Sequence, residues 1–352
     1  MTAPGHASPL TRRSCLAGLL AAPLALTTTE PARALRLLKM STIGLGTSAS
    51  SVVGEFASTV NAELPDVEIT VNHEGPATRH VIELALGRLE FCTSSPAIHA
   101  RMRNKTAVFR AITQSRQLLA QLRTVMNFPL GVYHIAVSER SGIERLEEVA
   151  GKKVFLGPQG AASFTTMAQL LSAAVGLAPT ADYETVALGW DDGAAAFRRG
   201  EVDVFCVPTN APSPLFQDMV AERPLRFLGL PDEPADPGAL EDIVNWPGHR
   251  LATLPAGVYG DHQADGGDAR TLGITASLLT RANLERELVY RATKTFFDAI
   301  PTQAQNKPWL ANVTPDGALD DLNLPLHEGA IDALTEHGLT IPDEARPTPQ
   351  ER

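Results

Sequence analysis

Aromatic side chains are scarce in this chain, at 5% of its 352 residues, and basic residues are outnumbered by acidic ones. The scarcity of aromatics argues against a platform on which bases or sugars would stack. The net charge of −10 argues against a surface that wraps nucleic acid. Because apolar residues make up 44% and charged residues 20%, the composition is that of an ordinary globular protein with two domains or one large one.

Common motifs of enzymes and metal sites are also missing from the sequence. It contains no G-x-S-x-G, H-E-x-x-H, C-x-x-C or G-x-x-x-x-G-K-S/T segment. His73, His80 and His99 lie close together in sequence, but their spacings of 7 and 19 match no zinc pattern. We therefore predict a protein that is not an enzyme and that uses no cofactor and no metal.

Residues 1–34 have the composition of an export signal. Arg12-Arg13 is followed by the apolar stretch LAGLLAAPLAL, which is too short to span a bilayer, and Ala32-Arg33-Ala34 resembles an A-x-A cleavage site. We expect the twin-arginine export machinery to carry the protein to the periplasm, with the signal removed near Ala34. The other interpretation of this segment is a disordered basic tail. No later segment approaches the length of a membrane span.

Strand-like and helix-like segments alternate along the rest of the chain. Such alternation predicts an α/β fold of two lobes, each a mostly parallel sheet with helices on both faces. Because ligands bind beyond the carboxyl ends of strands in open α/β sheets, we expect the ligand cleft between the lobes. The expected divisions are lobe 1 at 35–130 plus about 270–345, lobe 2 at 131–230, a loop-rich return connection at 231–270, and a disordered tail at 346–352. We expect a hinge where the chain first crosses between lobes, at 126–132.

The segment Gly44-Leu45-Gly46-Thr47-Ser48-Ala49 fits the G-x-G-x-x-G/A pattern of dinucleotide-binding loops. It follows an apolar run and precedes an amphipathic one, so an exported NAD(P)-dependent oxidoreductase is one hypothesis. A lone G-x-G-x-x-A is a weak signal, and no catalytic His, Tyr-Lys pair or Cys stands out downstream. The other hypothesis is a loop that holds a smaller anion.

Polar residues recur where predicted strands end and predicted helices begin. Helix N-termini at these points offer free N–H groups and the positive end of the helix dipole, which suit an anion. Helix capping explains any single hydroxyl equally well, but three such loops at equivalent strand ends predict a shared anion site. The ligand-binding candidates in these loops are Thr47, Ser48, Ser50, Thr93, Ser94, Gly160 and Ser163.

Five segments of the sequence, in the same order, resemble segments of the TAXI subgroup of TRAP-transporter solute-binding proteins. IGLGTSASSVVGEFASTVN is similar to the family's opening IGTGxxGGxYYPxGxxLA, GPQGAASF to its GAPGSGTE loop, and PLHEGA to its PLHPGA. APSPLFQDM and the long segment from LPAGVYG to TKTFF resemble two further pieces of the family sequence. The resemblance covers about residues 40–340.

This resemblance implies a two-lobed type II periplasmic-binding-protein fold. It also implies a monomeric receptor that hands a small organic acid, a dicarboxylate or an amino-acid-like solute, to a TRAP-type membrane transporter. In the first loop, Ala49-Ser50 replaces the family's paired glycines and Val52-Val53 replaces its aromatic pair. The resemblance therefore does not identify the solute. Arg79 is new relative to the family, and its guanidinium matches a carboxylate, so Arg79 and Asn210 complete the ligand-binding candidates. A receptor for an ATP-driven importer or for a sensor kinase is the remaining alternative.

Overall fold

A computed structural model describes residues 34–44, 47–264 and 267–348. The chain divides into two compact units, Met1–Ala34 and Leu35–Arg352. The expected export signal lies outside the described residues apart from Ala34, and so do Leu45 and Gly46 of the G-x-G segment. Within the described ranges, every helix is too short or too polar to cross a membrane.

The described residues of the second unit form one sheet of ten strands, which confirms the α/β class. The strand order is β2-β1-β3-β10-β4-β7-β5-β6, with β8 paired to β4 and β9 paired to β10. The strands are β1 (Arg36–Ser41), β2 (Val67–Asn72), β3 (Phe91–Ser94), β4 (Leu122–Ser138), β5 (Lys153–Phe155), β6 (Glu184–Thr185), β7 (Val204–Thr209), β8 (Leu225–Phe227), β9 (His249–Leu254) and β10 (Ala269–Arg281).

Ten α-helices in the described ranges surround this sheet. They are α1 (Ser48–Glu63), α2 (Ala77–Ala85), α3 (Pro96–Asn104), α4 (Ser115–Ala120), α5 (Ala162–Val175), α6 (Trp190–Arg199), α7 (Pro214–Glu222), α8 (Pro237–Val244), α9 (Arg286–Gln303) and α10 (Glu328–Glu336). We call β1–β3 with α1–α4 the first half, and β5–β8 with α5–α7 the second half.

The long strands β4 and β10 join the two halves. β4 pairs with β10 up to Val132, and from Val132 to Val137 it pairs with β7. β10 pairs with β3 near its C-terminal end and with β9 near its N-terminal end. Both long strands run antiparallel to these neighbours, whereas the β1–β2, β1–β3, β5–β6 and β5–β7 pairs are parallel. The sheet as a whole is therefore mixed.

Gly131 lies where β4 passes from one half to the other. Its φ of +113° is a conformation that side-chain-bearing residues rarely adopt, and a Cβ there would lie 2.1 Å from the Thr209 carbonyl oxygen of β7. Glycine therefore permits the close approach of two strands at this crossing. The crossing falls within the segment where the hinge is expected, and hinge motion stays a prediction.

Helices cover both faces of the sheet in the first half. Leu278 belongs to the main apolar core, whereas its neighbour Leu279 belongs to a smaller one with Val81 of α2 and Met102 of α3. Since successive side chains of a strand point to opposite faces, the two cores lie on opposite sides of the sheet. Helices pack on each core, and this packing fixes the ends of β3 and β4 relative to α1 and α3.

Residues 231–270, expected to be loop-rich, contain both α8 and β9. Asp236 caps α8 by accepting a hydrogen bond of 2.9 Å from the backbone N–H of Ala239, and Pro237 occupies the first helical position. β9 then pairs along β10 from Leu254 to His249. The high proline, glycine and aspartate content of this segment concealed a well-capped helix and an edge strand.

Candidate functional site

A cavity of about 70 Å³ lies between the two halves, at the ends of β3 and β7 and the starts of α2 and α5. Most of its wall is apolar and is formed by Ile43, Ala49, Ala77, Ala97, Ile98, Leu130, Ala161, Ala162, Pro208, Ile274 and Ala276. The other wall residues have polar atoms in their side chains and are Thr93, Ser94, Ser95, Tyr133, Ser163, Thr166, Trp190, His249 and Thr275.

Hydrogen bonds between the two halves surround this cavity. The Thr78 hydroxyl of α2 donates to the Gly160 carbonyl, which precedes α5, at 2.9 Å. The Ser48 hydroxyl oxygen accepts from the backbone N–H of Asn210 at 2.7 Å and lies 3.0 Å from the Thr209 hydroxyl oxygen. These contacts hold the two halves together around the cavity. The cavity walls are therefore already formed in this arrangement.

Three of the predicted ligand-binding residues line the cavity: Thr93, Ser94 and Ser163. The Thr93 hydroxyl donates to Thr42 at 2.8 Å. His99 contacts Ser94 at 2.9 Å through Nε2, and its Nδ1 is 2.8 Å from the Asn323 side-chain oxygen. That oxygen can only accept, so neutral His99 donates from Nδ1 and the Ser94 hydroxyl donates to Nε2. The hydrogens of Thr93 and Ser94 are therefore already used within the protein.

The candidates at the start of α1 serve the protein's own packing. Thr47 caps α1 by accepting from the backbone N–H of Ser50 at 3.3 Å, and its hydroxyl donates to the Gly44 carbonyl at 2.9 Å. The Ser50 hydroxyl lies 2.9 Å from Nδ1 of His73. Together with the contacts of Ser48 across the halves, these bonds occupy the hydroxyls of this loop.

The remaining candidates lie outside the cavity wall. Gly160 precedes the wall residues of α5 and has a φ of +83°. The backbone N–H of Asn210 donates a hydrogen bond to the Ser48 hydroxyl. Arg79 is exposed on α2 and forms an ion pair of 2.9 Å with Glu83, one helical turn away. The structure thus does not bring the Arg79 guanidinium to this cavity.

Two buried hydrogen-bond donors of the cavity wall have no partner among the described residues. These are the hydroxyl of Ser163, whose residue is 7% exposed, and the indole N–H of Trp190, at 8%. Ser163 stands in the first turn of α5, where Ala161 is the N-cap and no side chain caps the helix. The first N–H groups of that turn have no partner within the helix. Unpartnered buried polar groups are costly, so this cluster of donors indicates a site for an acceptor.

Two glycines create the space for these donors. A Cβ at Gly157, which has a φ of +105°, would lie 2.2 Å from the Ser163 hydroxyl oxygen. A Cβ at Gly44 would lie 2.8 Å from Cβ of Trp190. Gly44, the first glycine of the G-x-G segment, therefore packs against the second half. This close packing brings α1 and α6 to the same cavity.

Sequence reasoning missed Arg101 on α3. Its guanidinium is buried, with 4% of the residue exposed, and donates to Thr166 at 3.1 Å and to Gln169 at 3.4 Å, both on α5. Its carbon Cζ lies 5.9 Å from the ring centre of Trp246, and its Nη1 has no partner among the described residues. Arg101 therefore places a positive charge directly behind the cavity residue Thr166. Its surroundings in sequence, HARMRN, contain one other arginine and no feature that singles it out.

Histidine, tryptophan and tyrosine residues of the wall were missed as well: His249, Trp190 and Tyr133. Burial lowers the pKa of His249 to about 4. Burial likewise lowers the pKa of His99, behind Ser94, to about 4. Both rings are therefore neutral near pH 7, and burial raises the pKa of the Tyr133 hydroxyl, which stays protonated. The described cavity wall therefore carries hydrogen-bond donors but no charged side chain.

Several solved structures are similar to this chain at low sequence identity. The aliphatic sulphonate binding protein SsuA from Escherichia coli is 15% identical, with 86% of this chain and 78% of that chain covered and a TM-score of 0.43. A TRAP periplasmic solute binding protein from Sulfitobacter sp. NAS-14.1, with bound β-D-galacturonate, is 12% identical, with 86% and 93% covered and a TM-score of 0.44. The Bordetella pertussis extracytoplasmic solute receptor DctP7, which binds pyroglutamic acid, is 12% identical, with 86% and 93% covered and a TM-score of 0.42. Similarity at this level specifies no ligand.

A match at the level of sequence families assigns the chain more firmly. No curated protein matches the sequence. Residues 45–338, however, match the profile of the NMT1-like family. Because this match spans most of the 352 residues, the chain belongs to the NMT1-like family, which consists of periplasmic solute-binding proteins.

Proposed function

We propose that this protein is an exported receptor that captures a small organic anion and delivers it to a TRAP-type membrane transporter. The observation that carries the proposal is the buried hydroxyl of Ser163 at the uncapped start of α5, which has no partner in the part of the chain that the structure describes. A helix N-terminus favours negative charge, and a hydroxyl fixed beside it adds a directed donor. Together with the indole N–H of Trp190, they form a set of donors arranged in advance for an anion.

The position of these donors between two halves supports a receptor that closes around its solute. Ser163 and Trp190 belong to the second half, whereas Thr93 and Ser94 come from the first. A solute in contact with both would stabilise the closed arrangement by its differential affinity for it. Closure also removes water from the donors, which strengthens their interaction with a charge.

The start of α1 supports a receptor over a dinucleotide-dependent oxidoreductase. A pyrophosphate would need free donors at this helix start and close approach to its backbone. Here Thr47 caps the helix, the Ser48 hydroxyl contacts the other half, and Gly44 lies against Trp190. The part of the loop that is described is thus occupied by the protein itself.

The transporter class rests on the resemblance to the TAXI subgroup. Five segments follow that subgroup's order, and receptors of this kind work with TRAP-type membrane subunits. The twin-arginine pattern in residues 1–34 supports export to the periplasm by the twin-arginine machinery, with removal of the signal near Ala34. Uptake assays in vesicles that contain the membrane subunits would separate a TRAP partner, driven by an ion gradient, from an ATP-driven importer.

The binding step is tested on purified protein, stripped of bound solute by partial unfolding and refolding. A panel of small carboxylates and sulfonates, with NADH and NADPH, is screened by thermal shift and followed by calorimetry. A ligand at about 100 times its dissociation constant adds about 2.7 kcal/mol of stability, which is easily seen. We expect a small acid to bind, and Ser163→Ala to weaken it about 10- to 100-fold, because a hydrogen bond to a charged group contributes about 1.5–3 kcal/mol.

The matched control is Ser172→Ala, which removes an exposed hydroxyl from the same helix. It should leave the affinity unchanged. Binding of a dinucleotide and of no small acid would overturn the proposed function.

A further inference from the structure

The charges around the cavity restrict the solute beyond its being an anion. None of the described residues that line the cavity is Asp, Glu, Lys or Arg. Asp191, Asp321 and Arg250 adjoin wall residues, but all three are exposed to solvent. Asp321 accepts the hydroxyl of Thr275 at 2.6 Å, and Arg250 donates to that hydroxyl at 3.3 Å. The described wall therefore offers neutral donors for one acid group and no carboxylate for a cationic group.

We infer that the solute is a singly charged acid with a short apolar body and without an ammonium group. This inference rests on the proposed function, because it concerns the same cavity. An ammonium group enclosed here would lose its hydration with no carboxylate to pair with it, which is strongly unfavourable. A second acid group would meet apolar wall residues such as Ile98 and Leu130, and no described wall residue is a cation that would neutralise it.

The unpartnered donors also favour a single acid group. Thr275 donates to Asp321, Thr93 to Thr42, and Ser94 to His99. Ser163 and Trp190 are the buried wall residues whose side-chain polar atoms have no hydrogen-bond partner in the described chain. With the N–H groups of the first turn of α5, they suffice for one carboxylate or sulfonate head. The positive charge of Arg101, behind Thr166, adds long-range attraction for that head.

The size of the cavity limits the rest of the solute. The cavity volume of about 70 Å³ favours a small solute over a large one. The apolar wall residues enclose the part of the solute that the donors do not reach. A short apolar body, branched or unbranched, therefore fits the closed arrangement.

A set of ligands with the same shape tests this inference by calorimetry on the stripped protein. Isobutyrate is the parent acid. In alanine an ammonium group replaces one methyl group, in methylmalonate a carboxylate replaces it, and in propane-2-sulfonate the acid head is exchanged. Butyrate and pyruvate are included as further single-charge acids. We expect at least one of the four singly charged acids to bind, and alanine and methylmalonate to bind at least 100-fold more weakly than the best of them.

A second variant reverses the expected preference. Ala77 lines the cavity at the first position of α2, where an acidic side chain is favourable for the helix. Ala77→Asp should weaken binding of the singly charged acid at least tenfold and strengthen binding of alanine. The Ser172→Ala control should change neither affinity.

The outcomes separate this inference from the proposed function. Tighter binding of alanine or methylmalonate than of the singly charged acids would overturn the inference and leave the receptor proposal intact. Binding of a larger acid from the wider panel, with none of the four small acids, would do the same. Failure of every small organic anion would overturn both.

Discussion

The buried guanidinium of Arg101, on α3 in the first half, donates a hydrogen bond of 3.1 Å to the hydroxyl of Thr166, on α5 in the second half. In the described chain no carboxylate forms an ion pair with Arg101. A buried charge without such a partner costs free energy, and burial lowers the pKa of this guanidinium. An anion bound on the far side of Thr166 would offset part of that cost.

Arg101→Met is predicted to weaken solute binding without lowering the stability of the protein. Methionine keeps a long apolar side chain and removes the buried charge, so thermal stability without solute should stay the same or rise. Affinity for the anionic solute should fall at least tenfold, because the positive charge behind the cavity and a bond between the halves are both lost. Calorimetry and thermal unfolding of the same sample measure the two effects. Unchanged affinity would show that Arg101 has no part in binding.

Gly131→Ala is predicted to destabilise the protein by about 3 kcal/mol or more. The new Cβ would combine a positive φ with an overlap against the Thr209 carbonyl oxygen. Urea unfolding measures the change, and Gly142→Ala is the matched control. Gly142 also has a positive φ, of +69°, but its Cβ would meet open space, so a cost of about 1 kcal/mol is expected there. Equal costs at the two positions would refute the close approach at the crossing of β4.

Stability is predicted to fall as the pH is lowered from about 6.5 to about 4, and His99 is one cause. Burial lowers its pKa to about 4 in the folded protein, against about 6.5 in an unfolded chain. Between these values the unfolded state binds a proton that the folded state does not, so acid favours unfolding. The difference corresponds to about 3 kcal/mol for this residue.

Urea unfolding at pH 7 and at pH 4.5 measures this contribution. His99→Gln should show a smaller loss of unfolding free energy between the two pH values than the unsubstituted protein. His262→Gln, which changes an exposed side chain, should show the full loss. The same loss in both variants would exclude His99 as a source of the pH dependence.

The alternation of elements over residues 35–128 could be predicted because local signals mark it. Thr47 before an amphipathic run signals the start of α1, and Pro65 lies just beyond its end. The short apolar run at Phe91–Ser94 is β3, and Ser95 with Pro96 marks the start of α3. Patterns of this kind depend on neighbouring residues, so a single sequence contains them.

The candidate site could be predicted only in part, because its polar residues are sorted by tertiary contacts. Ser50 and Ser163 have the same local context, a serine near a helix start. In the structure His73 partners Ser50, whereas the Ser163 hydroxyl, beside Gly157, has no partner among the described residues. Arg79 and Arg101 likewise differ in burial and not in local pattern. Which of the two arginines approaches the cavity depends on how α2 and α3 pack, and the spacing of residues in the sequence does not reveal that packing.

The most direct test of a solute held by Ser163 and Trp190 is an NMR titration of the indole N–H signals. The chain has three tryptophans, Trp190, Trp246 and Trp309, and Trp190→Phe assigns the signal of interest. As the singly charged acid is added to the stripped protein, the Trp190 N–H signal should move until the site is saturated, at the dissociation constant found by calorimetry. The shift should be lost or need far more ligand in Ser163→Ala. A Trp190 signal that stays fixed while the acid binds would contradict the assignment of this cavity as the binding site.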